Sequence, residues 1–68
     1  MREVQIETEF IKLDQFLKFE NLVGSGGEAK NIIGDGMVKV NGSVETARGK
    51  KLHRGDTVEV FGEVIRII

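Results

Sequence analysis

The chain has 68 residues, ten of them Lys or Arg and eleven Asp or Glu, for a formal net charge of −1, with no cysteine and a single histidine. A chain this short buries only about 60% of its unfolded surface, so residues 1–68 are expected to form one small domain with a simple core, and a large enclosed active site is not expected. Disulfides, thiolate metal sites and the ordinary zinc arrangements are excluded with the cysteines, no cofactor is expected, and no apolar run is long enough for a secretion signal or a membrane span, which points to a cytoplasmic setting.

Taken in chain order, Val4 and Ile6 suggest a first strand within the alternating start MREVQIETEF. Phe10 precedes Leu13, Phe16 and Leu17, whose i, i+3, i+4 spacing predicts a helix from about Lys12 to Asn21, with Asp14 suited to the positive end of its dipole. Ser25 and Glu28 stand in the S-x-x-E relation of a capping box, so a second helix should start at Ser25 or Gly26. Its small apolar stripe is Ala29, Ile32 and Ile33, and it should stop at Gly34-Asp35-Gly36, where glycine takes the left-handed cap conformation. Val38 and Val40 then alternate with Met37 and Lys39, and Asn41-Gly42 is the strongest short hairpin signal because both residues tolerate positive φ. After the turn-like Arg54-Gly55-Asp56, Thr57–Phe61 and Glu63–Ile68 read as two more strands broken at Gly62. Two short helices with one apolar stripe each can bury those stripes only by packing on one side of a small antiparallel sheet, which makes the fold class α+β. Phe10, Leu13, Phe16, Leu17, Ile32, Ile33, Val38, Val40, Val58 and Val60 are the predicted core.

The near-neutral total hides a segregation of charge. Residues 1–28 carry a net −3, residues 29–54 a net +4 and residues 55–68 a net −2. Within the basic middle, Arg48, Lys50, Lys51 and Arg54 fall inside seven residues, with His53 among them. A charge run of this size is compatible with a solvated loop, and also with a surface for a polyanion.

The order Leu13-Asp14-x-Phe16-Leu17, then Ser25-x-x-Glu28-Ala29-Lys30-x-x-Ile33-x-x-Gly36-x-Val38-x-Val40-Asn41-Gly42, then Leu52 and Gly55-Asp56-x-Val58, resembles the S-four RNA-binding domain, and most of all its small stand-alone bacterial YaaA/YbcJ type. The likeness covers roughly residues 8–60, and its specificity lies in the combined order. It implies that the two helices and the following hairpin form a surface for structured RNA, ribosomal more than transfer RNA, in a monomer associated with ribosomes, and that the activity is binding rather than catalysis. On matching positions it implies an RNA-facing role for Lys30 on the second helix, for Ser25 at that helix's start, for Lys39 and Asn41 in the hairpin, and for Arg48, Lys50 and Lys51 in the stretch Arg48-Gly49-Lys50-Lys51-Leu52, with Arg54 just beyond. The same face as the second helix is expected to carry that stretch. The chain departs from the wider family at Gly26, Gly27 and Asn31, where other members often carry arginine.

Plainer roles stand beside these. Ser25 and Glu28 act first as a cap, Asn41-Gly42 as turn chemistry, Lys30 equally well as an ordinary helix residue and His53 as a surface residue. Phe10 and Phe16 belong to the apolar stripe and are expected in the core rather than as base-stacking platforms, whereas Phe19 lies off the stripe and stays open. Gly24-Ser25-Gly26-Gly27-Glu28-Ala29 matches the loose dinucleotide fingerprint without the strand or β-α-β unit it requires, and Lys30 lacks the Gly-Lys-Ser/Thr of a P-loop. Glu28, Asp35 and Glu45 are scattered, without the pairing that acid–base chemistry needs, so no enzyme is expected. Two other classes compete: a β-grasp carrier, whose C-terminal Gly-Gly is replaced here by Arg66-Ile67-Ile68, and a protein-binding adaptor that kept the fold and lost the RNA surface.

Overall fold

A computed structural model describes residues 1–68. The first strand, β1 (Arg2–Val4), is followed by β2 (Ile11–Lys12), which runs directly into α1 (Leu13–Phe19). The second helix, α2 (Gly26–Gly34), starts after the N-cap Ser25, whose hydroxyl accepts the Glu28 N–H at 3.1 Å. The Glu28 carboxylate reaches back one residue beyond the cap and accepts the Gly24 N–H at 3.1 Å. Both helices end in a left-handed residue followed by a chain-reversing bond. Asn21 (φ 56°) precedes the Leu22 N–H to Leu17 carbonyl bond, and Gly36 (φ 77°) precedes the Met37 N–H to Ile32 carbonyl bond.

The remaining strands are β3 (Lys39–Val40), β4 (Ser43–Val44), β5 (Lys51–Leu52), β6 (Thr57–Val60) and β7 (Glu63–Ile67). Five of the seven form one sheet in the order β1-β7-β6-β3-β4, and β2 with β5 forms a separate antiparallel pair. The sheet is antiparallel except at one edge, where β1 lies parallel to β7 with Arg2 opposite Ile65 and Val4 opposite Ile67. This parallel edge is possible because the long connection through both helices returns the chain to the same end of the sheet.

The helices cover one face of the sheet. Leu13, Phe16 and Leu17 of α1 and Ala29, Ile32 and Ile33 of α2 join Val38, Val40, Val58, Val60, Ile65 and Ile67 in one core, which also takes in Ile6, Val23 and Leu52. No polar or charged side chain is buried. Phe10 departs from expectation: it is half-buried and outside the core, because the chain is still extended there and the helix begins three residues later.

Candidate nucleic-acid interface

The basic loop is positioned by the backbone of α1. That helix has no side-chain cap at Lys12, so the N–H groups of its first turn need partners from elsewhere. They find them in the loop: Leu13 N–H donates to the Lys50 carbonyl at 2.8 Å and Asp14 N–H to the Arg48 carbonyl at 3.1 Å. A turn bond from Lys50 N–H to the Ala47 carbonyl at 3.1 Å shapes the loop itself. Arg48 and Lys50 are thereby fixed beside the start of α1 with their side chains exposed. The loop joins the helical layer through α1, which packs against both β2 and α2.

The next step along the chain sets Lys51 in β5 directly opposite Lys12 in β2. Ile11 and Leu52 form the neighbouring rung, and Leu52 is fully buried, so the two lysines stand on the outer side of the ladder. Like charges directly opposite each other on a strand pair are destabilising. No carboxylate relieves them, because the ion pairs of the structure are Arg2 with Glu20, Arg2 with Glu63 and His53 with Asp56. Lys12 was not anticipated from the sequence. Its signal was the extended register before α1, which becomes visible only once β5 is recognised as its partner.

Lys30 is exposed on α2, beside the buried Ala29. Ser25 uses its hydroxyl as the cap, and the Gly26 and Gly27 N–H groups at the head of the helix point along its axis where an anion is stabilised. Three other expected residues are placed differently. Asn41 spends its amide on structure: Nδ2 donates to Asp56 Oδ1 at 3.0 Å, and Oδ1 accepts the Thr57 N–H at 2.9 Å. Arg54 donates one guanidinium N–H to the Ile6 carbonyl at 2.7 Å, pinning the segment after β1. Lys39 alternates with the buried Val38 and Val40 and therefore lies on the sheet face away from the helices, opposite Glu59.

Asp56 organises the loop from the other side. Its carboxylate accepts the His53 N–H at 2.8 Å as well as the Asn41 amide. Burial is the largest single influence on this carboxyl and pushes its pKa up, but the hydrogen bonds from Asn41 and from the His53 backbone, with the charges of His53 and Lys50, together outweigh burial and hold it below its ordinary value. Asp56 thus stays anionic and ties the Asn41-Gly42 hairpin to the end of the basic segment.

These features define a small α+β module in which two helices pack on a sheet and Lys12, Arg48, Lys50 and Lys51 gather beside the start of α1. The S4 domain model matches residues 4–68, and the chain belongs to that family. A probable ribosome maturation protein, RlbA of Bacillus subtilis (strain 168), is 44% identical over 59 residues, which span 87% of this chain and 83% of that protein. YbcJ of Escherichia coli (strain K12) is 38% identical over 58 residues, 85% of this chain and 83% of its own length. The solution structure of E. coli YbcJ, described as revealing an αL motif involved in RNA binding, superposes with a TM-score of 0.74 at 33% identity, covering 100% of this chain and 87% of that one. The 30S ribosomal protein S4e of Thermoplasma acidophilum shares the fold, with a TM-score of 0.65 at 23% identity over 88% of this chain and 32% of its own. No helix of the chain is long and apolar enough to cross a membrane.

Proposed function

We propose that this protein is a non-catalytic, cytoplasmic RNA-binding module, acting as a monomer on structured ribosomal RNA in ribosome maturation. The observation that carries the reading is the rung of two lysines without a carboxylate partner, Lys12 and Lys51, set beside Arg48 and Lys50 by the first turn of α1. Such a cluster costs stability in the free protein and is relieved by a polyanion. Two relatives, a probable ribosome maturation protein and one whose solution structure carries a motif involved in RNA binding, support the same direction.

In this reading Lys12, Arg48, Lys50, Lys51 and Lys30 hold phosphates, and the head of α2 at Ser25 adds its backbone donors. Lys39 and Arg54 lie at the margin, and Asn41 acts by holding the hairpin. Recognition rests on shape, through phosphates and 2′-hydroxyls, more than on base reading.

The test is a fluorescence-anisotropy titration against a structured ribosomal RNA hairpin and an unstructured oligomer of equal length at three salt concentrations. With the duplex-DNA coefficient, five or six phosphate contacts give a log–log salt slope of about −4.5 to −5.5. The double reversal Lys50→Glu with Lys51→Glu should weaken every RNA ligand and flatten that slope by about two units. An unchanged slope would place the site elsewhere, and no binding at the lowest salt would favour a protein-binding adaptor.

A further inference from the structure

The β2–β5 ladder carries more than lysines on its outer side. In the antiparallel register Ile11 faces Leu52 and Lys12 faces Lys51, so one step further Phe10 meets His53. Their rings stand with centroids 6.1 Å apart, tilted by 47°, and the Lys51 ammonium lies 4.8 Å from the Phe10 centroid. Alternation at period two puts Phe10 and Lys12 on one side of β2, and Lys51 and His53 on the same side of β5. The result is an aromatic rung followed by a cationic rung about 7 Å along the strands, a step that one nucleotide spans from base to phosphate.

The backbone on both sides of the aromatic rung is held in place. The Thr8 hydroxyl donates to the Phe10 carbonyl at 2.8 Å and fixes the chain as it enters β2, while the His53 backbone is held by Asp56. Phe10 stays outside the core, and the His53 side chain keeps 55% of its exposure. The Lys51 ammonium that covers Phe10 sits on a flexible stem and can exchange the ring for a phosphate, uncovering the π-face as it does so.

We propose that this ladder is a stacking site for one unpaired nucleobase, which packs on Phe10 and His53 while Lys12 and Lys51 grip its flanking phosphate. The inference rests on the RNA-binding reading above and narrows it: the preferred RNA offers a bulged or looped-out nucleotide beside a helix. Specificity for the base itself is weak, because every base has a π-face.

The chain has no tryptophan and no tyrosine, so Phe10→Trp installs a single fluorophore at the site. The probes are an RNA hairpin with one bulged nucleotide, the same hairpin with that position abasic, and the hairpin without the bulge. Each is titrated against the unaltered protein, Phe10→Leu, Phe10→Trp and the Lys50→Glu/Lys51→Glu reversal, with thermal melts confirming that each variant folds. Phe10→Leu should weaken binding to the bulged hairpin by about tenfold, in the range for loss of one base–aromatic stack, and leave the bulge-free hairpin unchanged. Phe10→Trp should restore affinity, with fluorescence quenched by the bulged hairpin and not by the abasic one. Salt-sensitive binding that the reversal abolishes, with Phe10→Leu acting equally on all three RNAs or on none, would overturn the stacking site and leave the RNA-binding reading standing. No binding of any hairpin at low salt would overturn both.

Discussion

At the scale of single residues, Asn41 combines a backbone requirement with two side-chain bonds. It sits at φ 52° in the hairpin turn, donates to Asp56 and accepts from the Thr57 N–H. Alanine at this position loses both bonds and places a side chain in a left-handed conformation that costs roughly 1–2 kcal/mol, to which the lost hydrogen bonding adds about 1 kcal/mol. Glycine loses the bonds and is free of the conformational cost. Urea denaturation should therefore show Asn41→Ala less stable than Asn41→Gly, with both below the unaltered protein; equal losses would mean that the turn conformation contributes nothing. Asp56 completes the same knot, and its depressed pKa gives stability a pH dependence. The contribution is fully present above the unfolded carboxyl value of about 3.9 and is lost as pH falls through the lower folded value. Melts of the protein and of Asp56→Asn should thus differ most above pH of about 4 and converge in stronger acid.

At the scale of elements, the β6–β7 hairpin holds a mismatch between residue and turn. Val60 pairs with Glu63, so the loop is the two residues Phe61 and Gly62, both left-handed at φ 53° and 74°. That is the turn for which Asn-Gly is the favoured pair, as at Asn41-Gly42, yet here a phenylalanine with 56% of its surface exposed occupies the first place. Phe61→Asn should raise stability by about 0.5–1 kcal/mol, which for a domain this small is a few degrees in Tm, and a fall would show that the exposed ring packs usefully. The same hairpin shows where the sequence was legible and where it stopped. Gly62 marked the break between the strands, and the second helix with its cap at Ser25 and stop at Gly36 was readable because caps and short apolar stripes are local signals. The β2–β5 pair was not, since two-residue strands at Ile11–Lys12 and Lys51–Leu52 are defined by each other across 40 positions of chain rather than by any local pattern. Without that pair, Phe10 reads as part of the α1 stripe, and nothing local marks Lys12 as a neighbour of Lys51 or Leu52 as buried. The parallel β1–β7 edge was hidden for the same reason.

At the scale of the whole molecule, segregation along the chain becomes segregation in space only in part. Arg48, Lys50, Lys51 and Lys12 converge, whereas Lys39 turns to the far side of the sheet and Arg54 is tied to Ile6. The proposed RNA surface therefore has a gap at the head of α2, where Gly26 and Gly27 carry no charge. The gap is not enforced by packing. A Cβ added at Gly26 would meet nothing within 4 Å, and one at Gly27 only the Ser25 hydroxyl at 3.9 Å. Arginine is the better helix former, by less than the roughly 1 kcal/mol that separates glycine from alanine in a helix interior, while its charge at the positive end of the helix costs about 0.3–1 kcal/mol, so the double variant Gly26→Arg/Gly27→Arg should melt near the unaltered protein. Two added cations beside Ser25 and Lys30 should tighten binding to a structured RNA hairpin and steepen the salt slope by about two units, the mirror image of the Lys50/Lys51 reversal. A loss of affinity with unchanged stability would carry a different meaning: the bare glycine backbone itself would be the contact, approached by the RNA more closely than any side chain there allows.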